Sequence, residues 1–375
     1  MCVCRVLAQV LVLALAARAV PASGAAPAGE PKSVSALFAA INRAWADRNL
    51  SAIGQVLHAP MVAVFGGGNA VRVVGREQFV ALLTQVDLDK AGLESHVVRV
   101  VAVLRQRDLA LCGTCTEERR NGQIRRYNGA NVLCRTENGW RIVVGFPAFM
   151  SCALHIKRVF PGGQGADAGL RKGDCFVSYG GRAVHSHPDI KAAQRAAKGQ
   201  ASADLVVRRE GREVTVQVKP GLLGVECEHV LSAGGGATME GPDADAVRAE
   251  LQAHIGAARR RDIDTVATRI SDKGFVDCAF VDKGTRVLGR QALLDEARKA
   301  FASKEASWEH LRATGIRVIV KGPLALARID VSIGGKAEGA DTSASMLCLL
   351  VKQPEGWRIV ANLPPMVDIR RATPQ

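Results

Sequence analysis

Residues 137–147 read ENGWRIVVGFP, and residues 354–364 read PEGWRIVANLP, an offset of 217. A turn-forming dipeptide ahead of an apolar run is the signature of a strand entered from a tight hairpin. Two further pairs share nearly the same offset: VRVVGREQFVALL (71–83) with TRVLGRQALLDEA (285–297), and AINRAWADRNLSAI (40–53) with HIGAARRRDIDTVA (254–267). Three matches in one order at near-constant spacing define an internal repeat. Its copies run over 33–149 and 243–368.

Each copy has the same local pattern. An amphipathic helix comes first, with Val34, Leu37, Ile41 and Trp45 at helical spacing in one copy and Val247, Leu251 and Ile255 in the other. A short apolar strand follows, MVAVFG (61–66) or GFVDCAFVD (274–282), and then a second helix over 77–86 or 291–302. The remainder of the first copy reads as strands, HVVRVVAVLR (96–105), LALCGTCTEE, YNGANVLCRT and WRIVVGF, separated by RNGQ and ENGW turns. Helices followed by an antiparallel meander predict an α+β domain whose sheet wraps its helices.

Composition sets the class. The chain has 375 residues, enough for several domains, and 48% hydrophobic residues, enough for packed cores. Aromatics at 4% argue against a carbohydrate- or base-stacking surface. Residues 1–28 read as a signal peptide: Arg5 precedes the apolar run VLAQVLVLALAA (6–17), and small residues follow at 22–26. The expectation is export to a periplasmic or extracellular compartment, with a retained N-terminal anchor as the weaker alternative. Losing Arg5 and Arg18 with the leader lowers the net charge from +14 to about +12, which favours anionic surfaces. The basic residues lie in scattered pairs and triplets, so no specific nucleic-acid partner is expected.

Eight cysteines follow the leader, at 112, 115, 134, 152, 175, 227, 278 and 348. CGTC (112–115) has a redox spacing, but it falls within a strand-like run rather than at a helix N-terminus, so core cysteines are expected. Disulfide pairing stays open. The spacings offer no second ligand pair, and neither a metal site nor a cofactor is expected.

The helix–strand–helix–meander order with its closing GWRIV strand resembles the nuclear transport factor two-like superfamily, which includes SnoaL-like proteins and ketosteroid isomerase. The resemblance implies a cone whose sheet curls round a pocket, used by some members for catalysis and by others for assembly. In the isomerases a carboxylate moves a proton while a tyrosine and a protonated carboxyl hold the oxyanion. The pocket candidates here are His96, Glu117 and Tyr127 in the first copy, and Asp277, Asp330 and His310 in the second. They do not match that constellation, so no catalytic residue is assigned.

Between the copies, LHIKRVFPGGQGADAGLRKGDCFVSYGGRAV (154–184) resembles a PDZ domain of the kind found in bacterial high-temperature-requirement proteases. Gly169, Gly173, Gly180 and Gly181 sit where the pattern needs turns. The domain is expected over 152–230, followed by a Gly-rich linker over 231–242. The resemblance implies that an extended peptide adds to a sheet edge while a glycine-containing loop takes its terminal carboxylate. Leu222, Leu223, Gly224 and Val225 fit that loop, and Val225–Val230 the groove strand. Ile190, Ala193 and Ala197 of a helix over 188–198 are the expected opposite wall; FPAFMS (146–151) is a rival loop.

The expected fold class is therefore α+β, with two cone-shaped domains flanking a small, β-barrel-like PDZ domain. The expected function is non-enzymatic recognition of protein or peptide C-termini. The flanks would supply dimerisation or small-ligand binding, and a homodimer and an intramolecular pairing of the two copies are both open. The alternative is an enzyme or small-molecule carrier using a cone pocket, with the PDZ domain regulatory. A third reading has the groove blocked by the chain's own linker.

Overall fold

Ser33 caps helix α1 (Val34–Ala46) by accepting from the Ala36 N–H at 3.1 Å, and Val34, Leu37, Phe38 and Ile41 form its buried stripe. The computed structural model describes residues 33–369 apart from 68–69, 86–87, 89–91, 148–149, 185–186, 211, 234–236, 282–283, 304–307, 334–341 and 367. The leader expected at 1–28 lies outside the described residues.

After α1, the first copy contains β1 (Leu57–Gly67), β2 (Ala70–Gly75), α2 (Arg76–Thr84), β3 (Leu93–Gln106), β4 (Leu109–Arg120), β5 (Gln123–Thr136) and β6 (Gly139–Pro147). Its sheet runs β2-β1-β6-β5-β4-β3, with only β1 against β6 parallel. The middle segment holds β7 (Met150–Val159), α3 (Gln164–Asp167), β8 (Cys175–Tyr179), β9 (Arg182–Ala183), α4 (His187–Ala196), β10 (Ala203–Arg209), β11 (Arg212–Val218) and β12 (Val225–Ala233).

The second copy repeats the first with α5 (Pro242–Arg259), α6 (Ile263–Arg269), β13 (Val276–Val281), β14 (Gly284–Gly289), α7 (Arg290–Ala302), β15 (Leu311–Lys321), β16 (Leu324–Ile333), β17 (Thr342–Gln353) and β18 (Gly356–Leu363). Its sheet order, β14-β13-β18-β17-β16-β15, is that of the first copy. A last strand, β19 (Asp368–Ile369), completes the chain's described elements.

Three expectations need correcting. The expected linker over 231–242 begins as strand, because β12 continues to Ala233 and pairs there with Met150 of β7. Residue 368 does not belong to the second copy: Asp368 and Ile369 lie parallel to Val230 and Leu231 on the edge of β12. The middle sheet, β11-β10-β8-β7-β12-β19, is an open path and not a closed barrel.

The two copies form one unit, and the middle segment with β19 forms another. Each cone has its own core between helices and sheet. The opposite sheet faces are also buried: Val62, Leu109, Val132 and Val144 of the first copy, and Val276, Ile319, Leu349 and Ala361 of the second, have no exposed surface. The copies meet closely at Gly274, where a Cβ would come within 3.1 Å of Val62 Cγ2. The Arg107 guanidinium also lies 5.2 Å from the centre of the Phe280 ring. In the second cone Phe301 and Trp308 pack edge to face at 4.9 Å within the core. The first cone is hollow.

Candidate functional site

The loop ahead of β12 is shaped by what happens to its carbonyls. Gln194 Nε2 donates to the Gly221 carbonyl at 2.6 Å, and Gln164 Nε2 donates to that of Leu222 at 2.7 Å. The Gly165 N–H donates to the Leu223 carbonyl at 2.7 Å, and the Phe160 N–H to that of Gly224 at 2.9 Å. In a trans peptide the C=O of one residue and the N–H of the next point in opposite directions. With the carbonyls of 221–223 held inward, the N–H groups of Leu222, Leu223 and Gly224 turn away from the module. Among the described residues nothing accepts from them.

Successive outward amides are the backbone arrangement that anion-binding nests use. Gly224 makes it possible: its φ is +67°, and a Cβ would come 3.0 Å from the Gly163 Cα. Beneath the loop the buried Tyr179 lies with its hydroxyl 3.5 Å from the Lys219 carbonyl. Leu223 is buried in the core, whereas Leu222 is 92% exposed beside the nest. Val225 then starts β12, opposite Val159 of β7. The edge of β12 that faces away from β7 takes β19 only from Val230 onward.

The helical wall differs from expectation. Ile190, Ala193 and Ala197 are packed into the module's core, because the stripe that makes α4 amphipathic is the stripe the core consumes. Lys191, Gln194 and Arg195 of this helix, with Lys198 just past its end, border a cleft of about 580 Å³ with Pro220 and Gly221. The rival loop is not one: Phe146 and Pro147 close β6, and Met150 and Ser151 already belong to β7.

A second site lies in the first cone, a cavity of about 490 Å³ that His96 and Tyr127 both line. Glu118 joins them: Tyr127 Oη donates to Glu118 Oε1 at 2.9 Å, and His96 Nδ1 lies 3.1 Å from the same oxygen. Trp45 stacks on His96 with ring centres 4.0 Å apart. Burial holds the His96 imidazole below its ordinary pKa against the opposing pull of Glu118. Burial and the bond to Glu118 raise the Tyr127 phenol. Glu117 was the sequence candidate, but strand alternation puts Thr114, Thr116 and Glu118 on the cavity side and Glu117 on the other.

The second copy's candidates do not converge on a comparable site. Asp277 has no exposed surface and sits 3.5 Å from Arg286; burial raises its carboxyl to about 7 despite that arginine. Asp330 is a braced surface carboxylate. Burial would raise its pKa, but hydrogen bonds from Ser345, Arg328 and Arg317 outweigh that and lower it. His310 is exposed beside Glu309.

In CGTC, Cys112 faces the core with its thiol pushed up to about 12 by burial, while Cys115 falls on the opposite face of β4. Among the described residues no three His, Cys, Asp or Glu side chains converge to hold a metal ion.

The chain thus comprises two α+β cones of one design, which form one unit, and a smaller sheet module that forms another. The chain belongs to the SnoaL-like family: the SnoaL-like domain matches residues 34–145 and 247–362, and a PDZ domain matches 155–209 between them. Similar solved structures include an NTF2-like protein of unknown function from Pseudomonas putida, 17% identical, covering 33% of this chain and 87% of that one at a TM-score of 0.29. Another NTF2-like protein of unknown function, from Shewanella oneidensis, is 14% identical over 34% of this chain and 98% of that one, with a TM-score of 0.26. A ketosteroid isomerase-like fold from Catenulispora acidiphila, in complex with trimethylamine, is 19% identical over 29% of this chain and 81% of that one, with a TM-score of 0.23. No curated protein matches this chain.

Proposed function

We propose that this chain is a non-catalytic adaptor whose PDZ domain captures the free C-terminus of a protein partner. The observation that carries the reading is the loop at 221–224, whose inner carbonyls are all engaged while three successive amides face outward. A terminal carboxylate fits such a nest, and the residues before it would extend along the edge of β12 as an added strand. The exposed Leu222 and the basic rim of Lys191, Arg195 and Lys198 support an apolar terminal residue and an anionic end. The apolar run at 6–17 supports export, which would make the partner an envelope or secreted protein. The paired SnoaL-like copies serve as the scaffold.

The test is a library of peptides with free C-termini, each repeated as its amide, presented to the protein and to Gly224→Trp. Binding that is lost both on amidation and in the variant is expected. Equal binding of free and amidated peptides would overturn the reading.

A further inference from the structure

Two copies of one fold in one chain let each wall position be read twice. Strands β4 and β16 both open with LAL, at 109–111 and 324–326, which sets Thr114, Thr116 and Glu118 against Ile329, Val331 and Ile333. The ladders extend the correspondence. His96 lies opposite Glu118 as Leu311 lies opposite Ile333. Tyr127 lies opposite Thr116 as Ala344 lies opposite Val331. Five polar side chains of the first copy thus stand where the second has aliphatic ones. Leu311, Ile329 and Val331 are buried in the second copy's core, so the fold needs none of this polarity.

In the first copy these groups border the 490 Å³ cavity, whose other walls include Phe38, Phe65, Phe79 and Ile142. The carboxylate of Glu118 can only accept, so the His96 proton resides on Nδ1 and leaves Nε2 as an acceptor. Among the described residues Nε2 has no hydrogen-bond partner. Glu118 is already engaged by His96, by Tyr127 and, at 3.4 Å, by Arg120 Nε. At the His96–Glu118 pair an anionic ligand would be repelled by Glu118, and a ketone or ether would bring an acceptor to face Nε2.

We propose that the first SnoaL-like copy binds a neutral, ring-sized apolar alcohol, its hydroxyl donating to His96 Nε2 and its body filling the cavity. This site is independent of the peptide groove and stands or falls separately from it.

The test is calorimetric titration of the full chain at neutral pH with one- to three-ring alcohols, 1-adamantanol among them, each beside its methyl ether. The alcohols should bind about tenfold more tightly than their ethers, the worth of one donated hydrogen bond. His96→Leu combined with Glu118→Ile installs the second copy's own pair, and it should abolish that preference while leaving ether binding in place. Nitrogen-15 NMR of the unsubstituted protein should show His96 protonated on Nδ1, with Nε2 shifting on addition of alcohol alone. The proposal is overturned if no member of the panel binds, if ethers bind as well as alcohols, if the double variant keeps the preference, or if the His96 proton is on Nε2.

Discussion

The same double substitution, His96→Leu with Glu118→Ile, should stabilise the unliganded first cone. The His96 and Glu118 side chains are 9% and 14% exposed, so a mostly desolvated polar pair would be exchanged for an apolar one. Fully burying an aliphatic side chain is worth about 1.5–3 kcal/mol, and the open cavity beside the pair roughly halves that for each. Against this stand the His96–Glu118 and Tyr127–Glu118 hydrogen bonds, about 1 kcal/mol each. Tyr127 is 46% exposed, so water can take over its hydroxyl, and the half-exposed Arg120 pair contributes less than about 1 kcal/mol.

The balance is a gain of about 1 kcal/mol, or a rise in melting temperature of roughly 2–4 °C for a unit of this size. Urea unfolding followed by circular dichroism would measure it, and hydrogen exchange of the β3 and β4 amides would localise it. A loss of about 1 kcal/mol or more would refute the reasoning, because the polar cluster would then be holding the cone together.

Three further outcomes follow from individual contacts. Asp174 is buried and receives Arg209 Nε at 2.8 Å and Nη2 at 2.7 Å, so Arg209→Met should cost about 2–4 kcal/mol, read as earlier unfolding of the PDZ domain in denaturant. Asp277 titrates near 7 when folded and near its ordinary value when unfolded, so the folded state holds the extra proton and stability falls as pH rises from about 4 to 7. Asp277→Asn should flatten that slope and raise stability at pH 8 by about 2–4 kcal/mol. Ile369 is fully buried where β19 covers the edge of β12 beyond Val230, so Ile369→Asp should tighten binding of about ten-residue peptides and leave four-residue ones unchanged. Fluorescence anisotropy of the two peptide lengths would show it.

The parts of this molecule that could be read from the sequence are those fixed locally. Gly169, Gly173, Gly180 and Gly181 all have positive φ, as their turns require, and the repeat offset marks both cones because it depends only on order. What escaped reading depends on register. Choosing Glu117 over Glu118 is a one-residue slip along β4, whose alternation runs unbroken from Cys112 through Thr114 and Thr116. The shared LAL of β4 and β16 carried the needed signal. Ile190, Ala193 and Ala197 form one helical stripe, and periodicity cannot tell a stripe facing a groove from one consumed by a core. A two-residue strand such as β19 has no period at all.

The claim that three amides of one loop hold a carboxylate is tested most directly by NMR of the full chain, labelled selectively at leucine and glycine. Titration with a peptide that binds through its free C-terminus should move the amide protons of Leu222, Leu223 and Gly224 downfield, and the same peptide as its amide should leave them in place. Shifts confined to other residues, or equal shifts with both forms of the peptide, would contradict it.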